Sequence, residues 1–222
     1  MNRAERRRQQ KQGQGGGAGS DVQGLLQKAV PLHQAGQWQE AETLYRNILD
    51  IEPGHADANH LLGLIARQRG NNEAAVELFS EAIRENPGEA AYHNNLGNAL
   101  KDLGRLDDAI KSYRAALAVN PEFATAHSNL GAALKELGRL EDAVTSLQRA
   151  IELNPDLAIA HNNLGNVLKD QGRMDDAVAS YRKAIALNPE ESKAHDNLGL
   201  ALQRMGMQPV HPISGHSSGY RF

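Results

Sequence analysis

Residues 90–123 read AAYHNNLGNALKDLGRLDDAIKSYRAALAVNPEF, and residues 124–157 and 158–191 repeat that reading closely. The interval between equivalents is 34 residues, and it governs nearly the whole chain: Pro53, Pro87, Pro121, Pro155 and Pro189 stand at that spacing. A fixed period between about 20 and 50 residues marks an array whose units bury their apolar faces against one another and not in one closed core. Counted outward, full units begin at Val22, Ala56, Ala90, Ala124 and Ala158, and a half unit begins at Ser192. Position 15 of the unit is glycine six times (Gly36, Gly70, Gly104, Gly138, Gly172, Gly206), and position 20 is alanine five times. Position 24 is a large apolar residue: Tyr45, Phe79, Tyr113, Leu147 or Tyr181. Position 8 is glycine from the second unit onward, with Ala29 in the first.

Within a unit, Leu96, Gly97, Leu100 and Leu103 recur at helical spacing along one face, and Leu106, Ala109, Ile110, Tyr113, Ala116 and Leu117 form a second stripe. The unit is therefore a pair of antiparallel helices. Gly104 ends the first in a left-handed conformation, and Asn120 with Pro121 ends the second. The Asn-Pro pair also suits a cap and first turn of the following helix. Small residues at positions 8 and 20 bring the two backbones close, and the large residue at position 24 fills the space beside them.

Leucine and glycine at positions 7 and 8, alanine at 20, tyrosine at 24, alanine at 27 and proline at 32 resemble the tetratricopeptide repeat over residues 22–206. The resemblance implies an all-α fold, a right-handed α-α superhelical solenoid of five full repeats plus a terminal helix. The segments HNNLGNALKDLGRLDDA and HNNLGNVLKDQGRMDDA are similar to the array that precedes the catalytic domain of O-GlcNAc transferases. The first repeats are similar to those that open such arrays in bacterial multidomain proteins.

Position 6 carries a row of asparagines, Asn95, Asn129, Asn163 and Asn197. Positions 2, 6, 9 and 13 share a helical stripe, so Asn98, Asn166, Asp102, Glu136 and Asp170 stand beside the row, with Lys101, Lys135 and Lys169 flanking it at position 12. In the O-GlcNAc transferase arrays the matching asparagines line the concave surface and hold an extended polypeptide by its backbone. The resemblance implies that role here, and an amide that both donates and accepts suits a peptide group. The alternative is that the row serves only hydrogen bonds between helices. The first two units lack it, with Gln27 and Leu61 at position 6.

A second row, His93, His127, His161 and His195 at position 4, invites a metal reading. Equivalent residues of adjacent units lie about 10 Å apart, too far for donors that must each reach one zinc ion at about 2 Å. These rings are expected to pack at the helix seam. No catalytic set and no phosphate loop is present: GQGGGAGS lacks the flanking strand and lysine, and Ser214-Gly215-His216 lies in a segment without helical pattern. No cofactor is expected, and the chain reads as a non-enzyme.

Residues 1–21 read as a disordered basic, glycine-rich tail and 207–222 as an irregular tail in which the second helix of the sixth unit is missing. The side chains of residues 1–20 carry a net charge of +4, which leaves −7 on the remainder of a chain of net charge −3. That acidic body argues against nucleic acid, leaving only the basic tail as a weak point of attachment. There is no cysteine, no run of apolar residues long enough for a membrane and no signal-peptide pattern, so the cytoplasm is the default. The expected partner is a protein or peptide on the concave face of a scaffold; self-association is left open. The alternative reading is the substrate-recruiting part of a truncated O-GlcNAc-type glycosyltransferase or another transferase. Helix 192–206 is expected to close the array with Asp196, Gln203 and Arg204 exposed, and Pro31 falls where a helix interior is expected.

Overall fold

A computed structural model describes residues 21–206. Among the described residues there are eleven helices and no strand: α1 (21–34), α2 (Trp38–Ile51), α3 (Ala56–Gln68), α4 (Asn72–Glu85), α5 (Ala90–Asp102), α6 (Leu106–Val119), α7 (Ala124–Glu136), α8 (Leu140–Leu153), α9 (Ala158–Asp170), α10 (Met174–Leu187) and α11 (Ser192–Arg204). They form five pairs with α11 as a terminal single helix. From α3 to α9 each first helix packs on its own second helix and on the second helix of the preceding unit, and α11 packs on α10, which makes an all-α superhelical solenoid.

Glycine at position 15 is the hinge of each pair. All six have φ between +72° and +78°. At Gly104 its own N–H bonds Lys101 O at 2.9 Å and Arg105 N–H bonds Leu100 O at 2.9 Å, the two bonds that close a helix on a left-handed glycine. Asp107 and Asp108 then lie in the first turn of α6, where they complement its positive end.

The close-approach scheme holds at atomic detail. The alanines at position 20 and the large residues at position 24 are wholly buried. A methyl group on Gly63, Gly97, Gly131 or Gly165 would come within 2.5 to 2.7 Å of Phe79, Tyr113, Leu147 or Tyr181, the position-24 side chain of the same unit. The interior is a chain of linked clusters, one spanning the first two units and another centred on Tyr113, Leu130 and Leu147.

Two expectations change. The Asn-Pro pair does not start the next helix: α7 and α9 begin three residues after Pro121 and Pro155. Asn120 and Asn154 instead end the second helices. Their side-chain oxygens accept from the N–H of Glu122 (3.0 Å) and Asp156 (3.2 Å), because a proline that supplies no N–H leaves the carboxamide to organise the turn. Pro31 does not break α1, which runs on through Ala35 N–H to Pro31 O at 2.9 Å. On α11, Asp196, Gln203 and Arg204 are exposed, and so is Leu200 at 55 %. Among the described residues no helix is long and apolar enough to cross a membrane. The readings made for residues 1–20 and 207–222 lie outside the described residues.

Candidate functional site

The first helices α5, α7, α9 and α11 meet along one face, and their side chains are joined across units in a single pattern. Asn129 Nδ2 donates to Asn94 Oδ1 at 2.9 Å, Asn163 Nδ2 to Ser128 Oγ at 3.4 Å, and Asn197 Nδ2 to Asn162 Oδ1 at 3.0 Å. Asn95 Nδ2 lies 2.7 Å from His60 Nε2. From Asn129 onward, each position-6 asparagine thus hands its N–H end to the position-5 side chain of the preceding unit. Asn94, Ser128 and Asn162 are buried polar groups that need a partner, and the row supplies it.

The asparagines are themselves half-buried, and their other ends are left over. Among the described residues no hydrogen bond engages Oδ1 of Asn129, Asn163 or Asn197, while Oδ1 of Asn95 receives only a 3.4 Å contact from Asn94 Nδ2. Asn98 and Asn166 are oriented the opposite way. Their Oδ1 atoms accept from Tyr113 Oη at 2.8 Å and Tyr181 Oη at 2.9 Å, which leaves their amide N–H groups uncommitted. Burial pushes the Tyr181 hydroxyl up to about 12 and raises that of Tyr113 as well, so both remain donors at neutral pH.

The charged flank is also cross-linked. Lys135 pairs with Asp170 at 3.1 Å and Arg67 pairs with Asp102 at 2.8 Å, each bond joining adjacent units. Arg67 was not among the sequence candidates, though it stands at the same unit position as the lysines. Lys101 and Lys169 are half-buried and form no ion pair among the described residues.

The histidine row has a different task. Nε2 of His93, His127, His161 and His195 lies 2.9, 3.0, 2.9 and 2.9 Å from the carbonyl oxygens of Pro87, Pro121, Pro155 and Pro189. Asn59 makes the equivalent bond to Pro53 O at 3.3 Å. The row ties each first helix to the turn before it, a directed bond where sequence reasoning expects only packing. The sequence signal was the fixed separation of His and Pro by six residues.

The junction of the second and third units departs from the others. His60 lies against Tyr92 with ring centroids 4.6 Å apart and the planes tilted by 34°, and Tyr92 Oη donates to Asp57. Burial lowers the His60 pKa, opposed by the charges of Asp57 and Glu89, and accepting from Asn95 requires the neutral ring.

Family profiles described as TPR repeat match residues 97–138, 133–172 and 165–206, and one described as Tetratricopeptide repeat matches 32–99. A thermophilic TPR protein of Thermus thermophilus is 25% identical, with a TM-score of 0.68 over 82% of this chain and 99% of that one. YrrB, a TPR protein with an unusual peptide-binding site, is 22% identical with a TM-score of 0.62 over 78% of this chain and 89% of that one. The pilF protein of Pseudomonas aeruginosa is 19% identical with a TM-score of 0.68, over 85% and 93%. No curated protein matches. The matched repeats run from residue 32 to residue 206, and the chain belongs to the tetratricopeptide-repeat family.

Proposed function

We propose that this protein is a non-catalytic interaction scaffold that captures an extended polypeptide on its concave face through the position-6 asparagines. The observation that carries the reading is the uniform polarity of the row. Asn129, Asn163 and Asn197 are each anchored through Nδ2 to the unit before, so their carbonyl ends form a line of fixed acceptors. Such a line pairs with peptide N–H groups whatever side chains the partner carries. Asn98 and Asn166 add donors for its carbonyls, and Lys101 and Lys169 are the cations available to a partner's acidic side chains. YrrB, which has this fold, is described as having a peptide-binding site; that likeness supports a peptide ligand without identifying one.

Replacing Asn129 and Asn163 together by alanine removes two acceptors and two bonds between units. At roughly 0.5–1.5 kcal/mol per hydrogen bond, affinity for a bound peptide should fall about tenfold and stability should fall by a similar free energy. The control is Asn94→Ala, which deletes an anchoring partner and leaves every acceptor in place. It should lower the melting temperature while preserving most of the affinity measured well below the transition. Equal loss of affinity in Asn94→Ala and in the double variant would make the row a purely structural feature.

A further inference from the structure

We infer that the groove selects a peptide in the polyproline II conformation and reads one backbone N–H in every three residues; the inference rests on the peptide-binding reading above. The acceptors of the row recur once per unit. Adjacent first helices are close enough for one side-chain hydrogen bond to span them, 2.9 Å from Asn129 to Asn94 and 3.0 Å from Asn197 to Asn162. Helices in such contact lie about 8–10 Å apart, so the free Oδ1 atoms repeat at roughly 10 Å.

That repeat discriminates among backbone conformations. A polyproline II helix rises about 3.1 Å per residue with three residues per turn, so it returns the same face about every 9.3 Å. A β-strand rises about 3.3 Å and reverses its face at each residue. Three strand residues would match the spacing but would turn alternate N–H groups away from the row; two or four would keep the face but miss the distance. An α-helix has its N–H groups committed to its own ladder. Polyproline II has none of its backbone groups engaged internally, and so it can meet the row at every unit without losing a bond of its own.

The polarity of the row then dictates the ligand's sequence. Oδ1 of Asn129, Asn163 and Asn197 is the end left open, so each contacted residue must possess an N–H and cannot be proline. The two residues between contacts do not meet the row, and proline there fixes the bound conformation in advance. The partner class is therefore a proline-rich segment interrupted by a non-proline residue at every third place. Asn98 and Asn166 stand two units apart, so their N–H groups are met by carbonyls six residues apart.

Fluorescence anisotropy with labelled twelve-residue peptides tests this directly on the full chain. (Pro-Pro-Ala)4 should bind at least tenfold more tightly than an all-proline dodecamer, which lacks the N–H groups, and than the flexible (Gly-Ser-Ala)4, which lacks the conformation. N-methylation of the alanines should reduce its binding to the level of the all-proline peptide, and Asn163→Ala should weaken (Pro-Pro-Ala)4 but not the all-proline peptide. If (Gly-Ser-Ala)4 matches (Pro-Pro-Ala)4, the three-residue reading is overturned while backbone capture stands; if the all-proline dodecamer matches it, capture of peptide N–H groups by the row is rejected as well. If none of the peptides binds at millimolar concentration, both the inference and the peptide-scaffold reading are rejected.

Discussion

Gly97 and Gly199 occupy the same position of the repeat and should respond oppositely to one methyl group. At Gly97 the added Cβ would lie 2.6 Å from Tyr113 Cε1, an overpacking that costs about 1–3 kcal/mol. A Cβ added at Gly199 would meet no described atom within 4 Å beyond its own helix backbone, and alanine should gain roughly 0.5–1 kcal/mol from helix propensity. Thermal melts of Gly97→Ala and Gly199→Ala should therefore shift in opposite directions. Two histidines make stability depend on pH. His60 accepts through Nε2, and burial holds its pKa below the usual 6.5; burial lowers His33 too, whose Nδ1 meets Tyr45 Oη at 3.3 Å. A lowered folded pKa gives stability that is present above the unfolded value and is lost as pH falls through the folded one. The urea midpoint should accordingly drop between pH 7 and 5, and His60→Gln should flatten that dependence.

A helix pair stands or falls with its position-24 side chain. Tyr113→Ala should destabilise by about 3–5 kcal/mol, whereas Tyr113→Phe, which deletes only the bond to Asn98, should cost about 1 kcal/mol by denaturant titration. These packing relations were legible in the sequence because they lie within a unit: Gly97, Ala109 and Tyr113 announce themselves by recurring in register. The pairing of Tyr113 with Asn98, and of Tyr181 with Asn166, left a trace as well, since the unit with Leu147 has Ala132 where those tyrosine units place asparagine. The bonds between units were not legible. Asn129 with Asn94, Asn163 with Ser128, Arg67 with Asp102 and Tyr92 with Asp57 all join residues 35 apart. Aligning a chain by its 34-residue period stacks equivalents in columns, and contacts that cross from one column to the next leave no mark. The amide polarity of the row escaped for the same reason, because it depends on which neighbour takes the N–H.

Across the whole array, stability is a sum over units and the junctions between nearest neighbours. Helix α7 is enclosed by α6 and α8 with α5 and α9 alongside, while α11 rests on α10 and α9 alone among the described residues. Amide exchange should reflect this: the protected N–H groups of α11 should exchange at least tenfold faster than those of α7, and equal protection would indicate all-or-none opening. The constant offset of the junction bonds has a genetic corollary. Excision of residues 124–157 would set Asn163 opposite Asn94 and Asp170 opposite Lys101, the same residue types that meet as Asn129–Asn94 and Asp170–Lys135. Loss of that 34-codon unit would rebuild its seam with familiar partners and change only the length of ligand measured, so recombination between near-identical units there can tune reach.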